Sequence, residues 1–353
     1  MEDAKNTEII KCPNCNASMN FSIEDKALKC EHCGQIKQIE EGVNNVMRRE
    51  ITDGVLKAHE PWSDCAVFRC SLCGAYIDLD KNEIAKTCPF CGNPGIVRTE
   101  DLPGIKPDSL IPYTVTKQSA VELFKKWIRS KIFAPGECRK KATAENMNSV
   151  YSPVWSFAAN TQSRYSGTLG KDYTETYRDA QGKTQTRRVT RWFSVSGQMS
   201  ADYTDVFIPS GVLIPKDMAQ KLEPYPIKTA VGYKQEYLSG KAAEHYSRDI
   251  KTCFGEFGNY VYSDLCQRIK RKYNADHIGK MNIDTTYNSK YFNYVLLPNH
   301  IANFSYRTKR YNFYVNGATG KVVGKYPKSI VKIALTLSAV AAAIAAVAYL
   351  LIG

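Results

Sequence analysis

The sequence contains a cysteine pattern that occurs twice with the same internal spacing. Each copy has two Cys-x-x-Cys pairs separated by 14 residues, and the second copy begins 58 residues after the first. One such pair places two sulfurs on one side of a metal ion, and two pairs complete the tetrahedral thiolate set that zinc prefers. We therefore predict two structural Cys₄ zinc sites in tandem zinc ribbons. The predicted ligands are Cys12, Cys15, Cys30 and Cys33 in the first copy and Cys70, Cys73, Cys88 and Cys91 in the second.

The residues that follow these pairs support the same interpretation. Asn16 follows the first pair and a glycine follows each of the other three. Asn and Gly adopt positive φ more easily than other residues, so a tight turn is predicted at each pair. Disulfides or buried thiols are the alternative, which a reducing cytosol disfavours. We expect His32 and His59 not to bind metal, and we expect the remaining cysteines to lie in the core: Cys65, Cys138, Cys253 and Cys266.

The net charge of +13 is unevenly distributed along the chain. Residues 1–100 have 12 basic and 16 acidic side chains, whereas residues 101–353 have 36 basic and 19 acidic ones. Each Cys₄ zinc site would add a further formal charge of about −2 to the acidic part. Because phosphate binding depends mainly on Lys and Arg, we expect the ribbons to bind protein rather than nucleic acid.

The last 25 residues contain an uncharged apolar stretch, from Ile333 to Ile352. Twenty residues in a helix span about 30 Å, the thickness of the hydrocarbon core of a bilayer. Asp284 is the last acidic residue, and eight basic residues lie between it and this stretch. That asymmetry is typical of a cytosolic flank and suits anionic lipid head groups. We predict a single transmembrane helix, with a weakly apolar helix packed on another domain as the alternative.

The rest of the chain reads as mixed helix and strand, so the predicted fold class is α+β. The sequence begins Met1-Glu-Asp-Ala-Lys, without the features of a secretory signal, and we expect the bulk of the chain to be cytoplasmic. The predicted units are zinc ribbon 1 at 1–42, a linker at 43–64, zinc ribbon 2 at 65–100, a basic α+β domain at 101–328 and the membrane helix at 329–353.

Periodicity predicts the main elements of the basic domain. Apolar residues recur at helical spacing over 117–131 and again over about 241–273, where Gly255 and Gly258 would favour a break. The segment 151–209 is predicted to form strands with a hairpin turn at 179–183, and Asn316-Gly317 suits a second tight turn. A short helix is predicted over 45–58.

Catalytic motifs are missing from the sequence. A phosphate-binding loop that ends in Gly182-Lys-Thr would have to begin with Gly at position 177, which is occupied by Tyr177. The sequence also contains neither a His-Glu-x-x-His helix nor a Gly-x-Ser-x-Gly turn. We therefore expect no catalytic residues, no small-molecule substrate and no enzymatic activity.

Five segments of the chain are distinctive: Cys88-Pro-Phe-Cys-Gly, Gly104-Ile-Lys-Pro-Asp-Ser-Leu-Ile-Pro-Tyr, Phe124-Lys-Lys-Trp, Phe133-Ala-Pro and Tyr151-Ser-Pro-Val-Trp-Ser-Phe. Together they resemble a bacterial family of zinc-ribbon membrane proteins, whose members are labelled as containing transcription-factor-IIB-type zinc ribbons. Some members are labelled as relatives of the primosomal replication helicase, but the motor motifs are absent here. Ala158 stands where related members tend to have an acidic residue, so a role of that position does not transfer.

The resemblance implies a membrane partner of envelope-stress systems, alongside phage-shock-protein-A-like and flotillin-like proteins. The leading hypothesis is a tail-anchored adaptor in the cytoplasmic membrane that docks a cytosolic or membrane protein. The rival is a membrane-tethered nucleic-acid-binding protein. It would use the basic strands from Arg164 to Arg191, with stacking surfaces at Tyr165, Tyr173, Tyr177 and Trp192.

Overall fold

A computed structural model shows a mixed α and β chain whose body is dominated by one large sheet. It describes residues 10–39, 48–52, 54, 65–72, 74–80, 88, 96–98, 105–141, 147–239, 241–307 and 309–352. Three strands form a small sheet near the amino terminus, and twelve strands form the large branched sheet of the body.

The elements are numbered in chain order. The strands are β1 Met19–Ser22, β2 Ala27–Cys30, β3 Ile36–Lys37, β4 Arg49–Glu50, β5 Cys65–Cys70, β6 Tyr76–Asp80, β7 Ile96–Arg98, β8 Ser109–Leu110, β9 Asn148–Arg178, β10 Thr184–Pro209, β11 Val231–Gly232, β12 Ala242–Glu244, β13 His277–Tyr306, β14 Lys309–Asn316 and β15 Val322–Gly324. The helices are α1 Lys117–Ser130, α2 Gly136–Lys141, α3 Lys216–Leu222, α4 Ile250–Lys272 and α5 Ile330–Ile352.

Three very long antiparallel strands form the centre of the large sheet. β9 has 31 residues and lies between β10, with 26 residues, and β13, with 30. At about 3.3 Å per residue, β9 can extend up to about 100 Å. Beyond Gly170, β9 pairs only with β10 among the described strands. Residues 171–191, with their turn at 179–183, therefore extend past β13, and we call them the distal hairpin.

Burial along β9 changes in three steps. Residues 150–159 are all buried, on both faces of the strand, and from Thr161 to Ser166 burial alternates with exposure. Helix α4 covers one face of this part of β9, so every second side chain is buried. Its contacts with β9 lie on either side of the alternating stretch: Phe257 stacks on Phe157, and Ile269 lies in a cluster with Leu169. Beyond Gly170 the strand is mostly exposed. The core of the body therefore lies under the first two-thirds of β9.

Helix α1 covers the opposite end of the sheet from the distal hairpin. Its first turn is capped by Thr116, whose hydroxyl accepts a hydrogen bond from the backbone N–H of Ser119 at 3.1 Å. Phe124 is fully buried and packs against Phe304 and Phe313 of β13 and β14. We call the region formed by α1, α2, the carboxyl end of β13 and the first turn of α5 the anchor end.

Several predicted elements are confirmed and others are corrected. Helix α1 and the hairpin turn at 179–183 are confirmed, and α4 continues through Gly255 and Gly258 without a break. The predicted start of the second helix near 241 is wrong, because residues 242–244 form β12 and α4 begins at Ile250 after an Asp249 cap. In the final hairpin, residues 317–321 connect β14 to β15, so the turn is longer than predicted.

The predicted helix over 45–58 is also wrong where the structure describes it. Arg49 and Glu50 form β4, which pairs with Phe292 and Tyr291 of β13. The remaining parts of that predicted helix, 45–47, 53 and 55–58, lie outside the described residues. The local sequence pattern favours a helix here, but pairing with a distant strand overrides it. The edge of β13 supplies hydrogen-bond partners for Arg49 and Glu50 that the local sequence does not indicate.

The packing at the anchor end gives a stability prediction. Phe124→Ala removes a fully buried ring and is expected to lower the free energy of unfolding by about 3–5 kcal/mol. Denaturant titration of the detergent-solubilised chain measures this change. Tyr177→Ala removes a ring that is 44% exposed, and we expect a change within about 0.5 kcal/mol. Equal losses in the two variants would contradict this assignment of the core.

Candidate metal centre and anchor helix

The first Cys-x-x-Cys pair forms a tight turn before β1. The backbone N–H of Asn16 donates to the carbonyl of Cys12 at 2.9 Å, and the N–H of Cys12 donates to the carbonyl of Ala17 at 2.8 Å. These two bonds close the turn only if the chain reverses at Asn16, which has a φ of 61°. The predicted positive φ at this position is confirmed.

The second pair repeats this geometry at the end of β2. The N–H of Gly34 donates to the carbonyl of Cys30 at 2.9 Å, and the N–H of Cys30 donates to the carbonyl of Gln35 at 2.9 Å. Gly34 has a φ of 77°. Because Cys30 lies opposite Met19 in the β1–β2 ladder, the hairpin brings the second turn beside the first.

The four sulfurs of the first copy converge on one point. The Sγ atoms of Cys12, Cys15, Cys30 and Cys33 all lie within 4.8 Å of one another. Sγ of Cys12 is 3.4 Å from Sγ of Cys33, and Sγ of Cys15 is 3.4 Å from Sγ of Cys30. A tetrahedral zinc site with bonds of about 2.3 Å requires sulfurs about 3.8 Å apart. The cluster has the size and the donor set of a Cys₄ metal site, and four thiolates leave no open coordination position.

The electrostatics of the cluster favour a thiolate at its exposed corner. Cys12 and Cys30 are buried, whereas Cys33 is exposed. A hydrogen bond from the backbone at Gln35, together with one from the Cys12 thiol, lowers the pKa of Cys33 to about 6. Deprotonated sulfur is the form that binds metal. His32 is exposed and is not among the four clustered residues, while His59 lies outside the described residues.

The second copy is described in part. The N–H of Gly74 donates to the carbonyl of Cys70 at 3.0 Å, and the N–H of Cys70 donates to the carbonyl of Ala75 at 3.0 Å. Gly74 has a φ of 72°, so this turn matches the two turns of the first copy. Cys70 and Cys88 are buried in the same apolar cluster. The other predicted ligands, Cys73 and Cys91, lie outside the described residues.

Three of the four cysteines without pair spacing lie in the core, as predicted. Cys138, Cys253 and Cys266 are buried in three separate apolar clusters. Burial raises the pKa of all three thiols, that of Cys253 to about 12. Neutral buried thiols pack as small apolar side chains. The side chain of Cys65 lies outside the part of the chain that the structure describes.

The segment that holds the first cysteine cluster packs on the body, a contact that the sequence pattern does not indicate. Ser239 donates from its hydroxyl to the carbonyl of Met19 at 2.6 Å and accepts a backbone bond from Phe21 at 3.3 Å. The ring of Phe21 lies 5.2 Å from that of Tyr237. Lys241 donates to the carbonyl of Phe21 at 3.2 Å, and burial lowers its pKa to about 8. No local pattern indicates this docking, because the two segments are about 220 residues apart in the chain.

A small cavity in the body is lined by two acidic residues, of which Glu244 is buried and Glu223 is half-buried. Its volume is about 20 Å³, which is room for one water molecule. The carboxylate of Glu244 accepts hydrogen bonds from the backbone N–H groups of Val212 at 2.5 Å and Leu213 at 2.9 Å, and burial raises the pKa of Glu223. Glu244 thus holds the loop after β10, and the enclosed space is too small for a metabolite.

The residues of the proposed nucleic-acid surface are only partly accessible. Tyr173, Tyr177 and Trp192 are exposed, but Tyr165 is buried against α4. Arg187 and Arg191 lie over the rings of Tyr177 and Tyr173, respectively. Both arginines also pair with Glu175, at 3.3 and 3.0 Å. A single carboxylate is therefore shared by two arginines, so the positive charge on this face of the distal hairpin is compensated in part within the hairpin.

Helix α5 has no charged residue after Lys332 in its first turn, and it is not covered by the body. Ile330–Ala348 forms a 19-residue stretch that is long and apolar enough to cross a membrane, and none of it is buried. A core helix of a soluble protein would instead be mostly covered. The described part of the chain thus contains one candidate membrane span, at the place where the sequence predicts it.

Comparison with known proteins finds a similarity that extends over nearly the whole chain. The uncharacterized protein YdjG of Bacillus subtilis (strain 168) is 26% identical over 340 residues, which cover 94% of this chain and 93% of that protein. No protein-family model matches the chain. No solved structure matches it either.

Metal content tests the first cluster directly. Replacing both Cys12 and Cys15 by Ser removes two of four ligands, so the purified chain is expected to lose one zinc ion per chain. Inductively coupled plasma mass spectrometry measures the metal content. Cys138→Ser changes a buried cysteine outside the cluster and should leave zinc unchanged. Equal zinc in all three proteins would contradict the assignment.

The turn geometry gives a second, subtler prediction. An added Cβ at Gly34 would meet no atom within 4 Å, so the cost of a side chain there comes from the positive φ alone. For Gly34→Val that cost is about 1–2 kcal/mol, or roughly 5- to 30-fold weaker zinc binding. Gly34→Asn should bind almost as wild type does, because Asn16 occupies the matching position at a φ of 61°.

Competition with a chromophoric chelator measures this difference. Both variants are made in a chain that already contains Cys70→Ser and Cys73→Ser, so that only the first cluster contributes to the signal. Equal affinities for the Val and Asn variants would show that backbone strain at this turn does not control the site.

Proposed function

We propose that this protein is a tail-anchored membrane adaptor whose zinc ribbons dock a protein partner on the cytoplasmic side. The observation that supports this most is the pairing of a closed four-sulfur cluster with an uncovered apolar helix in one chain. The cluster has the donor set of a structural zinc site, which stabilises loops too small to form a core. The helix has the length needed to hold the chain at a bilayer.

We infer a second ribbon from the turn at Cys70. Its two backbone hydrogen bonds and the positive φ of Gly74 match the turns that surround the first cluster. Cys88, the first cysteine of the fourth pair, is buried in the same apolar cluster. With Cys73 and Cys91 as the remaining ligands, the chain would bind two structural zinc ions.

The docking surface is proposed to lie at the tips of the ribbons. Leu72, inside the third Cys-x-x-Cys pair, is 67% exposed, and Ile36, just after the second pair, is 40% exposed. An apolar side chain at the tip of a metal-braced turn is rigid and loses little entropy when a partner covers it. The acidic balance of residues 1–100 favours a partner with a basic or apolar face over a nucleic acid.

A cytoplasmic location for the body is supported by charge. Lys325, Lys328 and Lys332 precede or begin α5, and no acidic residue follows Asp284. Positive residues that flank a membrane helix stay on the cytoplasmic side. By the resemblance described above, the partner would be a phage-shock-protein-A-like or flotillin-like protein, and the process would be envelope stress or membrane organisation.

The rival hypothesis, a membrane-tethered nucleic-acid-binding protein, would use the distal hairpin. The ion pairs of Arg187 and Arg191 with Glu175 weigh against it, since both guanidinium groups would have to exchange a carboxylate for a phosphate. Salt-dependent binding of the 1–328 fragment to DNA or RNA would favour the rival.

Partner capture tests the adaptor proposal. The full chain is crosslinked in its native membranes, and recovered proteins are compared among wild type, the double variant Cys70→Ser with Cys73→Ser, and Leu72→Ser. We expect both variants to lose the partner, while only the double variant loses zinc. Cys138→Ser serves as the control that retains both. An unchanged set of partners after the loss of zinc would refute the docking role of the second ribbon.

A further inference from the structure

A short loop between α1 and α2 is joined to the start of α5. The backbone N–H of Ser329 donates to the carbonyl of Phe133 at 2.7 Å. The ammonium group of Lys332 donates to the carbonyls of Ile132 at 3.1 Å and Ala134 at 2.8 Å. Three hydrogen bonds therefore fix the loop, residues 131–135, beside the first turn of the apolar helix.

The loop presents an isolated apolar side chain next to that helix. Ile132 is 72% exposed, although Ala134 beside it is completely buried. Ile330 and Val331, in the first turn of α5, are 82% and 68% exposed. A single exposed isoleucine needs no explanation. Here, however, the loop is fixed to an uncovered apolar helix, so Ile132 extends an apolar surface that the helix already presents.

Aromatic and basic residues surround this surface. Trp127 and Tyr326 pack edge to face at 5.9 Å, and the ammonium group of Lys131 lies 4.9 Å from the centre of the Trp127 ring. Residues 117–141 contain eight basic and two acidic side chains, and residues 321–332 contain four basic ones and no acidic one. Tryptophan and tyrosine concentrate at the level of lipid head groups, and lysines are attracted to anionic lipids.

We infer that the loop 131–135 is a second membrane contact, in which Ile132 enters the head-group region of an anionic bilayer beside α5. Trp127 and Tyr326 then lie at the head-group level, and the lysines of the anchor end face the anionic lipids. This inference rests on the proposed anchoring by α5, and it adds which face of the body touches the lipid. The distal hairpin lies at the other end of β9 and makes no part of this contact.

Site-specific photocrosslinking tests the inference. The full chain, with p-benzoylphenylalanine at one position, is reconstituted into vesicles of phosphatidylcholine and alkyne-labelled phosphatidylglycerol, and lipid attached after irradiation is measured. Position 132 probes the loop, position 337 probes the anchor helix, and position 177 in the distal hairpin is an exposed control. Zinc content and circular dichroism verify that each variant is folded.

We expect strong labelling at 337 and at 132, each several-fold above that at 177. Labelling at 337 alone would overturn the membrane contact of the loop and leave the anchor intact. Labelling at none of the three positions would overturn the anchor as well. Equal labelling at 132 and 177 would also refute the inference, because contact with lipid would then not be specific to the anchor end.

Discussion

The pairing of β9 with β10 and β13 is the interaction on which the rest of the body depends. Each of these strands satisfies most of its backbone hydrogen bonds through the others, since no local bonds are available to an extended chain. Near its start β9 also pairs in parallel with β12, which links it to β6 and so to the second cysteine copy. On its far side β13 pairs with β4, β8 and β14. The two neighbouring strands β9 and β13 thus join the segment of the second cysteine copy to the anchor end.

The sequence predicts features whose cause is local. The positive φ at Asn16, Gly34 and Gly74 follows from a turn that two backbone bonds close, and only residues with a low penalty in that conformation occupy it. Helix α1 was predictable because its apolar side, with Phe124 and Ile128, has the helical period. Likewise, the hairpin at 179–183 needs only a turn-forming segment between two strand-forming ones.

Features that depend on distant pairing were not predictable in this way. Residues 242–244 continue the apolar pattern of α4 toward its start, yet they form β12 because β6 and β9 offer them partners on both sides. The early part of β13 is polar, and its strand structure follows from the register that places His277 opposite Gly170. The docking of Phe21 on Tyr237 joins segments far apart in the chain, so no window of sequence contains it.

The distribution of ion pairs refines what the net charge of +13 means. In the distal hairpin, Arg187 and Arg191 share Glu175, and Arg188 pairs with Asp172 at 2.6 Å. At the anchor end, Lys325, Lys328 and Lys332 have no carboxylate partner among the described residues. The ion pairs of the distal hairpin are exposed and each contributes little, so they offset its positive charge only in part. The lysines where α5 leaves the body have no such pairs within the described part of the chain, and this is the arrangement that the proposed contact with anionic lipid requires.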